Sequence, residues 1–356
     1  QEQGQQMHAV NPSDLSRGCP KLSSLDLAPI DWDDRLLQEF AASAAQLSSL
    51  CLRQVAVRAT AALLAPLQEH HEAKLTSLHL ALHARSDPAR AESWLEQVSR
   101  LQHLQSLSLD YAAPLRLAVI ARLALGSQTS LTSLTVHGSH GVDDEAALLV
   151  VAACPNLECL RVFPDSWRDV GEVTDAALRW LIVGLPRLRL LAVGSRARLL
   201  AEPLPEASLR LRSLSIFAPL DNVACATVSA FANLRHLWLG PHKLMQRGIG
   251  ADSSISDAGV TLLVERCPAL TDLSVASLGI TDLGACAVLR GGRELRRLRL
   301  GGQGITDELL VVLRSLSQPR LERLTLWFSG VSAESAREAE VDMPWTYFDI
   351  EVMDYT

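Results

Sequence analysis

Aromatic residues are scarce: six phenylalanines, three tyrosines and seven tryptophans stand in a chain of 356. A core centred on stacked rings is therefore excluded, and leucine, alanine and valine must supply most of the 48% of residues that are apolar. Long apolar runs are missing as well. The longest, around Ala146–Cys154, falls far short of the roughly 20 residues a membrane-spanning helix needs. No charged-then-apolar leader opens the chain. Cysteine has no ordered pattern. Cys19, Cys51, Cys154, Cys159, Cys225, Cys267 and Cys286 are odd in number and show no CxxC or Cys/His ligand spacing, so neither a disulfide framework nor a zinc site is indicated. These absences point to a cytoplasmic or nuclear protein with free thiols. A basic excess is also lacking: the net charge is −7 and the pI near 5.8, which argues against nucleic acid as the partner, because phosphate neutralisation needs a basic field.

Catalytic signatures are equally absent. Gly301–Gly304 (GGQG) lacks the lysine and spacing of a phosphate loop, and neither G-x-S-x-G nor HExxH occurs. His70 and His71 lie beside Glu69 and Glu72, but adjacent residues on a helix point in different directions, and the cluster reads as solvated surface. The expectation is a protein without enzymatic activity, metal or cofactor.

What the chain has in abundance is a repeat. The pattern L-x-x-L-x-[LVI] begins at Leu22, Leu47, Leu75, Leu104, Leu131, Leu157, Leu188, Leu211, Leu234, Leu270, Leu295 and Leu321, at spacings of 23 to 31 residues with one of 36. The end of each motif alternates apolar and polar residues, which predicts a short strand with one buried face. Between motifs lie segments of helical period, such as Thr306–Leu316 and Ser256–Val264. Thr174, Ser256, Thr281, Thr306 and Ser332 stand as helix caps, and after the first four an aspartate meets the positive end of the helix dipole. One strand and one helix of this size cannot bury their own apolar face, so successive units must stack.

Gly279–Leu289 (GITDLGACAVL), Gly304–Leu313 (GITDELLVVL) and Ser254–Val275 resemble ribonuclease-inhibitor-type and F-box-type leucine-rich repeats, and the Cys-Pro corners at Cys19, Cys154 and Cys267 are similar to the cysteine-containing subclass. The resemblance spans Leu15 to Val331. It implies an α/β leucine-rich-repeat solenoid, a horseshoe of about twelve strand–helix repeats with a parallel concave sheet and convex helices. The sequence departs from the family at the asparagine or cysteine expected three residues after each strand's last leucine. Those positions hold Ile30, Val55, His83, Ala112, Ser139, Asp165, Arg196, Pro219, His242, Leu278, Gln303 and Ser329, and only Gln303 approaches the amide. The corner cysteines read as buried fillers rather than nucleophiles.

Residues 1–14 are expected to be a polar, disordered leader or the remnant of an upstream region, 15–331 the solenoid, and 332–356 a C-terminal cap with an acidic tail. In that tail Trp345–Val352 (WTYFDIEV) is read as a strand closing the last repeat. The stretches Phe163–Val173, Ser195–Ser208 and Gly240–Ser254 are irregular; the third carries Lys243 and Arg247.

The outward strand positions change character along the chain. Ser24, Ser49, Ser77, Ser106, Ser108, Ser133 and Thr135 are small, whereas Arg161, Phe163, Phe217, His236, Trp238, Asp272, Arg297, Arg299, Arg323 and Trp327 are large or charged. Arginine and tryptophan are enriched at interface hot spots, and an arginine row attracts acidic or phosphorylated segments. A protein partner on the C-terminal half of the concave face is the expectation; the alternative is that these side chains stack on one another or lie under the C-terminal tail. Three roles fit. The resemblance implies a substrate-recognition adaptor of F-box/ubiquitin-ligase type, joined to a ligase linker through an upstream region. A structural subunit of a large assembly fits too, as does a regulator of an enzyme, either an inhibitor or a GTPase activator.

Overall fold

In the computed structural model, each of the twelve leucine motifs delivers one short strand. Described are residues 23–27, 47–55, 75–82, 98, 101, 103–111, 130–137, 144–163, 173–195, 200, 210–240, 254–316 and 321–352. The leader, Cys19, the His70–His71 pair, Lys243, Arg247 and the interiors of the three irregular stretches lie outside them.

The chain forms two compact units: Gln1–His140 with Leu149–Leu157, and Gly141–Leu148 with Glu158–Thr356. In the first, β1 (Ser24–Leu27), β2 (Ser49–Val55), β3 (Ser77–Leu82), β4 (Ser106–Tyr111) and β5 (Ser133–His137) pair in parallel in chain order. In the second, β6 (Cys159–Phe163), β7 (Leu190–Gly194), β8 (Ser213–Phe217), β9 (His236–Leu239), β10 (Asp272–Ala276), β11 (Arg297–Gly301), β12 (Arg323–Ser329) and β13 (Tyr347–Val352) do the same. The unit boundary falls within helix α1 (Asp144–Ala153). The other helices are α2 (Asp175–Gly184), α3 (Asn222–Val228), α4 (Asp257–Arg266), α5 (Asp282–Gly291), α6 (Asp307–Ser315) and α7 (Ala333–Asp342). Consecutive helices from α3 to α7 pack on one another.

Leucine columns hold the second unit together. Leu191, Leu214, Leu237, Leu273, Leu298 and Leu324 occupy the same register and are each at most 2% exposed. Full burial of each stabilises the fold by about 1.5–3 kcal/mol. No helix among the described residues is long and apolar enough to cross a membrane.

The helix starts carry a second ladder that the capping expectation only half describes. Thr174, Thr281, Thr306 and Ser332 each accept a backbone N–H in their own first turn, as caps should, whereas Ser256 does not. The aspartates that follow Ser256, Thr281 and Thr306 reach the cap of the next repeat, and Asp175, after Thr174, accepts the Leu200 N–H. The Thr281 N–H and hydroxyl donate to Asp257 at 2.8 and 2.6 Å, and those of Thr306 donate to Asp282 at 2.9 and 2.6 Å. Asp144 binds Thr174 and Asp307 binds Ser332 in the same way. At Ser256 the partner is Asn222, which accepts the Ser256 N–H and donates to its hydroxyl. One carboxylate thus fixes the pitch between two repeats. Buried hydroxyls add to it one residue before the missing asparagine: Ser195 and Ser277 donate to the carbonyls of Val173 and Ile255 at 2.7 and 2.6 Å. Among the described repeats, aspartates and hydroxyls stand where the resemblance implies an amide ladder.

In the irregular stretch after β7, Leu200 adopts φ 65°, a left-handed conformation unusual for leucine. Its N–H donates to Asp175, its carbonyl accepts from Thr227, and its side chain is fully buried, so three anchors hold it there.

Candidate functional site on the open face of the second unit

Strand register sorts the outward residues of β6–β13 into three rows. The first reads Cys159, Leu190, Ser213, His236, Asp272, Arg297, Arg323, Tyr347, and the second Arg161, Ala192, Ser215, Trp238, Ser274, Arg299, Thr325, Asp349. In the third, Gly194 is opposite Phe217, and Ala276, Gly301 and Trp327 are in register; Phe163 ends β6 and Gly240 follows β9 at the equivalent place.

The third row departs from the expected solvent-facing display. Phe217 and Trp327 are each only 2% exposed. The reason is an alternation of large and small residues. Where glycine or alanine leaves the sheet surface bare, rings from neighbouring strands fall over it and meet. Phe163 and Phe217 have centroids 5.7 Å apart, Phe217 and Trp238 5.8 Å, and Trp238 and Trp327 6.2 Å. These separations lie in the favourable range for offset and edge contacts. Gly240 is required in this floor: its φ is +106°, and a Cβ there would stand 2.8 Å from the Ala276 carbonyl oxygen. Trp327 Nε1 and the Ser274 hydroxyl are buried without a hydrogen-bond partner among the described residues. Each such group costs about 1–3 kcal/mol.

Above this floor stands the charged row. The carboxylate of Asp272 is 14% exposed and joins His236 Nδ1 at 2.8 Å to the guanidinium of Arg297. The Thr271 hydroxyl donates to the same carboxylate at 2.9 Å. Asp272 is therefore an organiser of its neighbours. Arg297 is partly neutralised by it, while Arg299 lies over the Trp238 ring, with Cζ 5.7 Å from the centroid. Burial pulls the Arg299 guanidinium below the ordinary arginine range; Asp272 opposes that, Arg297 and Arg323 reinforce it, and Asp349 opposes it. Arg323 is exposed and stacks 4.7 Å over Tyr347. Arg161 donates to Cys159 Sγ at 2.9 Å.

All ten residues expected at the site thus share one face. His236, Trp238, Asp272, Arg297 and Arg299 cluster on β9–β11, Arg323 and Trp327 adjoin on β12, and Phe217 and Phe163 extend the floor. Arg161 lies at the far end, four strands from Arg299's neighbour Ser274. Tyr347, Ser274, Thr325 and Asp349 were not foreseen. Continuing the period-two reading through WTYFDIEV would have placed Tyr347 and Asp349 in the first two rows.

The described corner cysteines are fillers. Cys154 and Cys267 are 4% and 1% exposed, and burial pushes both thiols up to about 11. Cys225 is pushed up to about 12 by burial and by the charge of Asp221. Thiols so raised are poor nucleophiles at neutral pH. Cys267 Sγ also lies 3.7 Å from the Phe231 carbonyl, a weak contact to the preceding repeat.

No family model and no curated protein matches the sequence. Among solved structures, the chain is similar to one in the crystal structure of the yeast Rad7–Elc1 complex, with 14% identity and a TM-score of 0.51 over 90% of this chain and 84% of that one. It is also similar to a leucine-rich-repeat protein of Leptospira interrogans, with 14% identity and a TM-score of 0.41 over 95% of this chain and 98% of that one. The twelve motifs, their parallel strands and the first of these likenesses agree on the fold, an α/β leucine-rich-repeat solenoid.

Proposed function

We propose that the chain is a non-catalytic protein-interaction module that holds a polypeptide partner on the open face of its second unit. The observation that carries this reading is the cationic cluster of Arg297, paired with Asp272, and of Arg299 and Arg323, seated on the Trp238 and Tyr347 rings. A guanidinium held against an aromatic ring has lost part of its freedom before binding, so fixing it on a carboxylate or phosphate costs less. The partner segment is accordingly acidic or phosphorylated. Tyr347 brings β13 into the site, which gives the C-terminal strand a role in binding as well as in closing the array.

The adaptor role rests on the resemblance to F-box-type repeats, and the similarly folded yeast protein was solved in a complex with Elc1. The test is a pull-down from native extract with wild type and Arg297→Glu/Arg299→Glu, with thermal melting as the check on folding. Ligase components with both forms, and an acidic client lost by more than tenfold with the variant, support the adaptor. An unchanged set of assembly subunits, bound equally by both, means a structural subunit and removes the open face from the binding account.

A further inference from the structure

The turns leading into β7, β8 and β9 repeat a different signature: Arg187-Leu188-Arg189, Arg210-Leu211-Arg212 and Asn233-Leu234-Arg235. Each central leucine is buried, at 3%, 1% and 0% exposure, and all five arginines flanking them are exposed. Backbone bonds lock the spacing between turns: the N–H groups of Arg189, Arg212 and Arg235 donate to the carbonyls of Glu158, Arg189 and Arg212, each at 2.8 Å. The five arginines, with Glu158, line a cavity of about 670 Å³ at this edge of the second unit.

The fold does not need this charge. Arg189 Nε lies 3.9 Å from Glu158, and Arg210 donates to the Pro186 carbonyl at 2.5 Å. Arg187, Arg212 and Arg235 have no carboxylate within ion-pair distance among the described residues. Further along the same column the pattern is ordinary: Arg296 is paired with Glu322 at 3.1 Å. Like charges in register on neighbouring strands, about 4.8 Å apart, repel one another and are destabilising. A chain of net charge −7 nevertheless gathers five guanidiniums here against one carboxylate among the described residues. The cavity volume suits a small ligand, its lining suits no apolar one, and guanidinium forks match phosphate oxygens in pairs.

We infer that this edge cavity is a binding site for a compact anion carrying several phosphate groups, held by Arg187, Arg189, Arg210, Arg212 and Arg235. A multiply charged anion relieves the repulsion along the row, so its binding stabilises the fold. The site is separate from the open-face cluster and does not depend on the partner proposed there.

The experiment is calorimetric titration of the whole chain with inorganic tripolyphosphate and, separately, orthophosphate at physiological ionic strength. Tripolyphosphate is expected to bind one to one, at least tenfold more tightly than orthophosphate, and to raise Tm. In Arg189→Gln/Arg212→Gln/Arg235→Gln its affinity is expected to fall by tenfold or more, while the melting temperature without ligand stays equal or rises. Arg212→Gln alone gives an intermediate loss and guards against a misfolded triple variant. Arg266→Gln/Arg290→Gln, which removes two arginines elsewhere in the unit, leaves binding unchanged. Competition with a doubly phosphorylated peptide distinguishes the source: displacement of tripolyphosphate identifies phosphates borne on a polypeptide, and failure to displace it identifies a free anion. Absence of saturable binding by the wild type, equal binding by the triple variant, or equal losses in the two multiple variants overturns the assignment.

Discussion

The open positions of β1–β5 and those of β6–β13 are built on the same leucine register yet carry different chemistry. In β5 the open positions are Ser133, Thr135 and His137, half-exposed and alternating with buried leucine and valine. In β9–β12 the same positions hold His236, Trp238, Asp272, Arg297, Arg299, Arg323 and Trp327. The buried residues of each repeat are dictated by stacking between repeats, whereas the open ones are free of that demand and can diverge. The second unit also has aromatic rings that bury themselves on the open side, so that part of the display surface is itself a small core.

That difference predicts unequal responses to truncation. Phe217→Ala removes a ring that is 2% exposed and touches both Phe163 and Trp238. It is expected to cost about 3–5 kcal/mol of unfolding free energy in a urea melt. Ser106→Ala, on the open side of β4, is expected to stay within about 0.5 kcal/mol. Equal small effects would mean that the aromatic row contributes no stability and that the two faces differ only in display.

A smaller effect tests the floor beneath the rings. Gly240→Ala imposes a side chain at φ +106° with its Cβ 2.8 Å from the Ala276 carbonyl. The expected cost is about 1–3 kcal/mol. Because the strain falls between β9 and β10, the Trp238 fluorescence should change as well. Gly301→Ala is the control, since its Cβ would meet Ala276 and Trp327 only at 3.5 Å and beyond, an ordinary contact.

Much of the fold was legible in the sequence because strand position depends on local pattern. Each leucine motif became a strand, and four of the five hydroxyl caps accept bonds in their own helices. The site was legible as a set of residues on one face, but not as a structure. Nothing local to Phe217 or Trp327 says that glycine or alanine occupies the adjacent strands at the same height, and that neighbour decides whether a ring stands up or lies down. In the sequence Asp272 is one more display residue; its role in holding His236 and Arg297 depends on two neighbouring strands. The arginine edge is illegible in the sequence for a similar reason. Arg189, Arg212 and Arg235 are ordinary single residues until the 23-residue spacing of three motifs brings them to one cavity.

The smallest expected effect concerns the aspartate ladder, which among the described residues belongs to the second unit alone. Partial burial tends to raise the Asp307 carboxyl, but the N–H and hydroxyl of Ser332 and the hydroxyl of Ser335 outweigh it and hold the group below the usual carboxylate range. With the folded pKa depressed, its stabilising contribution is present in full above the unfolded value of about 3.9. It is lost as the pH falls through the folded value. Since the carboxylate is half-exposed, the contribution is within about 1 kcal/mol. The Ser332 amide resonance should therefore titrate with a midpoint below about 3.9, and Asp307→Asn should abolish that titration while leaving the melting curve nearly unchanged at neutral pH. An ordinary midpoint would show that the bridge from α6 to the next repeat does not hold in solution, and would leave helix contacts and buried hydroxyls to set the pitch there.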